Sequence, residues 1–360
     1  MKKTFPRIYV CHTFYHVYIS ILKEFNLPKE EQGKADLVLS SLSTNFSALS
    51  ERIVKTGIFK AVYQFDEKRE TDFPELAKYK VNRGAVRNMF SRIILTSKLS
   101  KYQEPYVPVD FRLYEDIYVF CDIDPIGVYL AKHRIPFHGV EDGFNSVANI
   151  PAVLLDNSKN FKLKRFFSEF LNLIYLQNGF NKYCTSMEVN DISSIKYECK
   201  KFVEVPRSEL AKAIEKPENK QLLLSAFVDD VNELETQLEL LKCTSHSVLI
   251  LTEPLCTYDV RTRIFTDLTD KYAKEGTVFI KPHPRDELDY RTVIPGSNVF
   301  SRQIPMEIFN IIPEFHFDKV VGVFTPLTEI KFAEEKESLG VAFMDNYEDP
   351  EKHKVYVGVC

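Results

Sequence analysis

Nowhere among the 360 residues does an apolar run reach about eighteen, the length a transmembrane helix needs. No apolar h-region follows Met1-Lys2-Lys3, so no secretory signal is read and the expected location is the cytoplasm. A Cys-x-x-Cys pair is also missing. The 7 cysteines (Cys11, Cys121, Cys184, Cys199, Cys243, Cys256 and Cys360) are an odd number, and Cys11 and Cys121 lie in apolar runs, as small core residues of a reducing compartment do. Basic excess is absent: 47 Lys and Arg stand against 51 Asp and Glu, a formal net charge of −4. With a pI of about 6.1, that argues against a general nucleic-acid binder.

What is present suits a soluble globular protein with a real core, at 44% hydrophobic and 27% charged residues. The length accommodates about two domains. Strands are predicted over 8–11, 36–41, 117–121 and 135–140, with helices from Thr13 as N-cap, over 48–56, and from Asp124 as N-cap with Pro125 at the first helical position. Residues 66–110, charged and tyrosine-rich, read as helices and loops. The strand–helix–strand unit around Pro125 implies a parallel sheet. Pro, Lys and Glu gather over 205–220, a linker between a domain of 1–210 and one of 211–360. The second domain reads as strands over 222–227, 247–251, 277–280, 298–300, 319–324 and 340–343, with helices over 258–274 and from Pro305.

The stretch Lys281-Pro282-His283-Pro284-Arg285-Asp286 follows the strand 277–280. Its prolines stop the ladder and push the residue before each into an extended conformation. His283 is one of those residues, held at a strand's carboxyl end between the charges of Lys281 and Arg285. In an open α/β sheet that is where ligands bind. A histidine between two cations there suits a phosphate-bearing ligand.

Other segments carry weaker signals. His12 and His16 stand four apart, but the place of the glutamate in His-Glu-x-x-His holds Thr13, so a polar wall of a binding cleft is preferred to a zinc site. Asp122-x-Asp124 has the look of a metal motif, yet capping explains Asp124. Glu141-Asp142-Gly143 places adjacent carboxylates at a strand end, where mutual repulsion and burial raise one pKa toward that of a general base. Residues 159–178 join Lys159, Lys162, Lys164 and Arg165 to a row of Phe and Leu. Both a core-facing helix with a solvated basic edge and a helix lying on an anionic membrane fit, the first slightly better. Thr325, Pro326 and Thr328 open a helix whose amides form an anion site.

Taken in order, Cys11-His12-Thr13, Glu141-Asp142-Gly143, Leu251-Thr252-Glu253-Pro254, Lys281-Pro282-His283-Pro284-Arg285, Ile304-Pro305-Met306-Glu307 and Phe324-Thr325-x-x-Thr328 resemble glycosyltransferase family 52. These are the bacterial sialyltransferases of capsule and lipooligosaccharide synthesis, and the likeness is greatest to streptococcal capsule members. The acidic-Asp-Gly, His-Pro and hydroxyl motifs are similar to those of other bacterial sialyltransferases, although their adjacent serines are here Thr325 and Thr328. The resemblance implies an α/β protein of GT-B type: two Rossmann-like domains with a cleft between them, the acceptor side first and the nucleotide side second. It implies an inverting, metal-independent transfer from CMP-sialic acid to an oligosaccharide or glycolipid acceptor, with no cofactor. Other sugars moved from UDP, GDP or CMP donors, and a non-catalytic nucleotide- or sugar-binding protein, are the alternatives.

On that reading Glu141 or Asp142 deprotonates the acceptor hydroxyl, with the longer Glu141 favoured and Glu253 in reserve. His283 serves the departing phosphate. Lys281, Pro284, Arg285, Thr252, Glu253, Pro305, Met306, Glu307, Thr325, Thr328, His12, Thr13 and Gly143 line the substrates. Contact with the inner face of the membrane is expected to be peripheral.

Overall fold

Near-continuous runs of apolar, β-branched and aromatic residues such as Phe5–Cys11 and Ser247–Leu251 are the mark of parallel strands buried on both faces. The computed structural model describes residues 3–41, 46–68, 72–81, 84–143, 145–148, 161–228, 230–310, 312, 314–325, 327 and 330–349, apart from the side chains of 47, 85, 86, 89, 231 and 307. It divides into two compact units, 1–223 and 224–360.

The first unit holds a seven-stranded sheet in the order β3-β2-β1-β4-β5-β6-β7. The strands are β1 (Phe5–Cys11), β2 (Asp36–Ser40), β3 (Ala61–Phe65), β4 (Tyr114–Val119), β5 (Phe137–Val140), β6 (Cys184–Val189) and β7 (Phe202–Glu204). Every neighbouring pair is parallel. The chain runs outward through β3, then returns to lay β4 beside β1, so the strand order reverses between β1 and β4. Ligands of open α/β sheets bind at such a reversal. Two helices begin there, α1 (Phe14–Phe25) after β1 and α4 (Pro125–Lys132) after β4. Further helices are α2 (Ser47–Thr56) and α3 (Ala85–Gln103), so the described part of 66–110 is helix and loop.

α1 is fixed at its far end by buried charge. Glu24 accepts from Arg7 Nε at 2.5 Å, Arg7 Nη2 at 2.7 Å and Tyr9 Oη at 2.8 Å. Beside it Lys23 Nζ donates to Glu188 of β6 at 2.7 Å. Removing one partner from a buried pair costs about 3–5 kcal/mol, so these bonds hold the helix in one place along β1. Gly127 in α4 is needed for a close approach: a Cβ there would lie 2.5 Å from the Asp122 carbonyl oxygen.

The second unit repeats the plan with five strands in the order β10-β9-β8-β11-β12. They are β8 (Ser247–Leu251), β9 (Thr277–Lys281), β10 (Asn298–Val299), β11 (Phe317–Gly322) and β12 (Ala333–Ser338), all parallel. Here the order reverses between β8 and β11. The helix Tyr258–Tyr272 lies between β8 and β9 in sequence, close to its predicted bounds.

Several predicted elements differ. Residues 222–227 are the end of the helix Pro217–Phe227, not a strand. Pro217 opens it, and Leu223, Ala226 and Phe227 turn inward with helical spacing. The expected linker over 205–220 holds the helix Arg207–Ala211 and the start of this one. Residues 340–343 are also not a strand. Gly340 sits at φ 71°, a left-handed conformation that ends the run, and Val341–Met344 is a helical turn.

The helix Phe161–Glu169 does not bury its apolar row either. Leu163, Phe166, Phe170, Leu171 and Leu173 are all exposed, while Ser168 and Ile174 face inward. The core-facing reading fails for those five residues, while Phe161 packs against Leu176 and Phe180 and Phe167 is half-buried; Lys159 lies outside the described residues.

Candidate active site

In the first unit, β1 delivers His12 and Thr13 to the start of α1. Thr13 caps the helix, its Oγ1 accepting from the His16 amide at 3.2 Å. The His12 amide donates to His16 Nδ1 at 3.0 Å. His12 itself is buried, with Nδ1 3.4 Å from Asp124 Oδ2 and 3.7 Å from Glu67 Oε2. Burial lowers its pKa, with Asp124 opposing. Asp124 has the extended backbone of an N-cap before Pro125 but makes no cap bond, because its carboxylate faces His12. The other acid of Asp-x-Asp works elsewhere: buried Asp122 accepts from the amides of Asn178 and Gly179, both at 3.1 Å. Burial pushes its pKa up to about 6.

The two acids at the end of β5 have opposite surroundings. Glu141 is 1% exposed. Its Oε1 accepts from the Val147 amide at 2.9 Å and its Oε2 from the Asn190 amide at 2.8 Å. Burial raises its pKa, and those amides oppose the rise. It ties the loop after β5 to the loop after β6. Asp142 points the other way, as alternation at a strand end requires. Its side chain is 62% exposed, and His16 Nε2 lies 2.7 Å from its Oδ1. The preference for Glu141 as base thus meets a side chain with both oxygens already engaged by amides. Gly143 continues the turn, its amide donating to Ser146 Oγ at 3.0 Å.

In the second unit the His-Pro turn follows β9. The His283 amide donates to Thr252 Oγ1 at 3.2 Å, and His283 Nδ1 accepts from the Arg285 amide at 3.1 Å. An Nδ1 that accepts leaves the neutral ring's proton on Nε2. Burial first, then repulsion from Arg285 and Lys281, lowers the His283 pKa to about 4. Arg285 is exposed, but Lys281 is not the phosphate-facing charge the sequence suggests. It is 2% exposed, and its ammonium donates to the carbonyl of Pro282 at 2.7 Å.

Thr252 and Asp286 hold this turn. Asp286 is 1% exposed. Its Oδ2 accepts from Thr252 Oγ1 and Tyr290 Oη, both at 2.7 Å, and its Oδ1 from Arg261 Nη1 at 2.7 Å. Arg261 also donates to the carbonyls of Leu255 and Cys256. The strand ends of β8 and β9 are thereby joined through one buried ion pair. Arg261 and Tyr290 carry no sequence signal of their own.

At the reversal between β8 and β11, Glu253 is 3% exposed. Its Oε1 accepts from the Phe324 amide at 2.8 Å and from both the amide and Oγ1 of Thr325. Burial raises its pKa. The Thr325 hydroxyl expected to meet phosphate is spent on this carboxylate. Pro326 and Thr328 lie outside the described residues, as does the side chain of Glu307. Pro305 caps the helix Met306–Phe309, and Pro284 and Met306 are half-buried. A cavity of about 430 Å³ abuts the His-Pro turn, walled by Pro282, Tyr290, Ser301, Arg302, Gln303 and Ile304. That volume falls in the range of small-molecule sites, about 300–1,000 Å³.

The sequence model of glycosyltransferase family 52 matches residues 64–338, well over half of the chain. A curated protein from Haemophilus influenzae, described as uncharacterized, is 32% identical over 82 residues, or 21% of this chain; the match spans only 26% of that protein's length. Among solved structures, the GT-B domain of a sialyltransferase from Photobacterium damselae is similar at TM-score 0.51 and 11% identity, over 90% of this chain and 87% of its own. A longer sialyltransferase chain from Photobacterium damsela gives TM-score 0.52 at 11% identity, over 93% of this chain and 75% of its own. At these identities the likeness is one of fold, and the fold is GT-B.

Proposed function

The chain belongs to glycosyltransferase family 52, and from that premise we propose that it moves sialic acid from CMP-sialic acid to a hydroxyl of a bacterial surface glycan, capsule or lipooligosaccharide. The observation that carries the reading is the state of His283. A neutral imidazole with its proton fixed on Nε2, on a turn braced by the Arg261–Asp286 pair, is a ready hydrogen-bond donor to phosphate. Among the described residues no group takes that N–H. Arg285 adds an exposed charge beside it, and the adjoining cavity takes the nucleoside.

Asp142 acts on the acceptor. The acceptor oxygen attacks C2 of sialic acid as the bond from C2 to the phosphate oxygen breaks, and the configuration at C2 inverts. The hydroxyl proton passes to the Asp142 carboxylate. The bonding electrons leave with CMP, whose phosphate is stabilised by His283.

The test is hydrolysis and transfer across a panel of CMP-, UDP- and GDP-sugars, each with and without EDTA. Turnover of CMP-sialic acid insensitive to EDTA is the expected result. Turnover of a UDP- or GDP-hexose instead moves the donor to another sugar, and binding without turnover makes the protein a nucleotide-sugar binder.

Localisation follows from the helix Phe161–Glu169. Among the described residues no helix is long and apolar enough to cross a membrane. The exposed Leu163, Phe166, Phe170, Leu171 and Leu173 stand beside Lys162, Lys164 and Arg165, and we infer that this face rests on an anionic membrane. The protein is expected to pellet with anionic vesicles at low salt and to release at high salt. Binding indifferent to lipid charge and salt would sink this part of the reading.

A further inference from the structure

His16 lies in the first turn of α1, 0% exposed, and its ring stacks on Phe120 at 4.2 Å with the planes 10° apart. One ring nitrogen is committed: Nδ1 accepts the His12 amide at 3.0 Å. In the neutral ring the proton is therefore on Nε2. Nε2 meets Asp142 twice, its carboxylate Oδ1 at 2.7 Å and its backbone oxygen at 2.8 Å. The amide of His12 thus sets the tautomer, the stack sets the plane, and the anchored far end of α1 sets the depth. The only exposed member of this chain of contacts is Asp142.

We propose that His16 is a positioning residue for Asp142, holding its carboxylate by Oδ1 in one orientation and in its charged form while the side chain stays open to the acceptor. The inference rests on the reading of Asp142 as the base. A hydrogen bond given to a carboxylate favours the charged state and fixes the rotamer. The proton removed from the acceptor stays on Asp142 until product leaves. The other titratable groups around the pair are His12 at the end of β1, Cys121 after β4 and Asp124 at the start of α4, with Glu67 after β3 lying against His12.

The test compares His16→Gln, His16→Asn and His16→Phe in the full chain. A glutamine amide reaches the place of Nε2, whereas an asparagine amide reaches only that of Nδ1. His16→Phe and His16→Asn are expected to lower kcat about ten- to a hundredfold, the size of an outer-shell contribution, with KM for the donor unchanged. His16→Gln should recover most of the loss. The acid limb of the pH profile should move upward in the Phe and Asn variants by roughly half a unit to one unit, since a charge-favouring bond is lost, and return with Gln. In an Asp142→Asn background, His16→Asn should add little further loss.

If His16→Phe does not fold, the Gln and Asn pair decides. Equal activity in those two, or a pH limb that stays put in both, overturns the proposal and leaves His16 a core residue. An Asp142→Asn enzyme with full transfer is a different failure, that of the base assignment itself.

Discussion

Replacing His283 by alanine is expected to lower turnover by about two to four orders of magnitude, the usual share of an acid–base group, while donor binding weakens less. The ring stands beyond the end of β9 with Nδ1 closed by the Arg285 amide, so the neutral ring's N–H is on Nε2. With a pKa of about 4, it is neutral in the donor-free protein at neutral pH. It then gives phosphate an N–H rather than a full charge, and the phosphate, as its negative charge grows, draws the ring toward the imidazolium. Nucleotide binding at mildly acidic pH should therefore take up more protons in the native protein than in His283→Ala. Calorimetry in two buffers of different ionisation enthalpy measures this, and the nucleotide's own titration cancels in the comparison. Native-like turnover in the variant would remove His283 from the mechanism.

The same shift has a sign for stability. The His283 pKa falls from 6.5 in the unfolded chain to about 4 in the fold. Between those values the unfolded state binds the proton that the folded state refuses. This group's contribution is complete above the upper value and is lost as the pH falls through the lower one. Alanine at 283 should flatten that part of the pH dependence of unfolding.

Where sequence and structure agree, one local signal was sufficient. Thr277–Lys281 is buried along nearly its whole length and stopped by prolines, so both the strand and the His283 turn were legible. The strand Ala333–Ser338 was not. Glu334, Glu335, Lys336 and Glu337 show no apolar alternation, because β12 is an edge held by its ladder to β11 and kept from further pairing by charge. The bracing of the His-Pro turn escaped for another reason. Asp286 meets Thr252 across 34 residues and Arg261 across 25, pairings that only the return of β9 to β8 creates. Lys281 misled because charge was read as exposure. Its four-carbon stem runs into the core, and its ammonium is satisfied by backbone carbonyls.

Asp142→Asn is the second change with a large expected effect, and its contrast with Glu141→Gln tests the choice between neighbours. Both residues are acids at one strand end, and the sequence favours Glu141 for reach. Reach matters less than what the oxygens already do. Both oxygens of Glu141 accept backbone amides in a buried loop, so a proton arriving there would break a bond that holds the site together. Asp142 instead meets His16 through Oδ1, and its side chain is 62% exposed. Asp142→Asn should lower transfer to acceptor by about two to four orders of magnitude and leave nucleotide binding and thermal stability near native. Glu141→Gln replaces one acceptor oxygen by a donor facing an amide, so it should lower the melting temperature, by an amount corresponding to about 1–3 kcal/mol. Its transfer rate, measured well below that temperature, should fall far less. Glu253→Gln is the control. Its carboxylate holds Phe324 and Thr325, so it should weaken the donor side and spare the base. Transfer surviving in Asp142→Asn but abolished in a stably folded Glu141→Gln would return the base to Glu141. Loss confined to Glu253→Gln would move it out of the first unit.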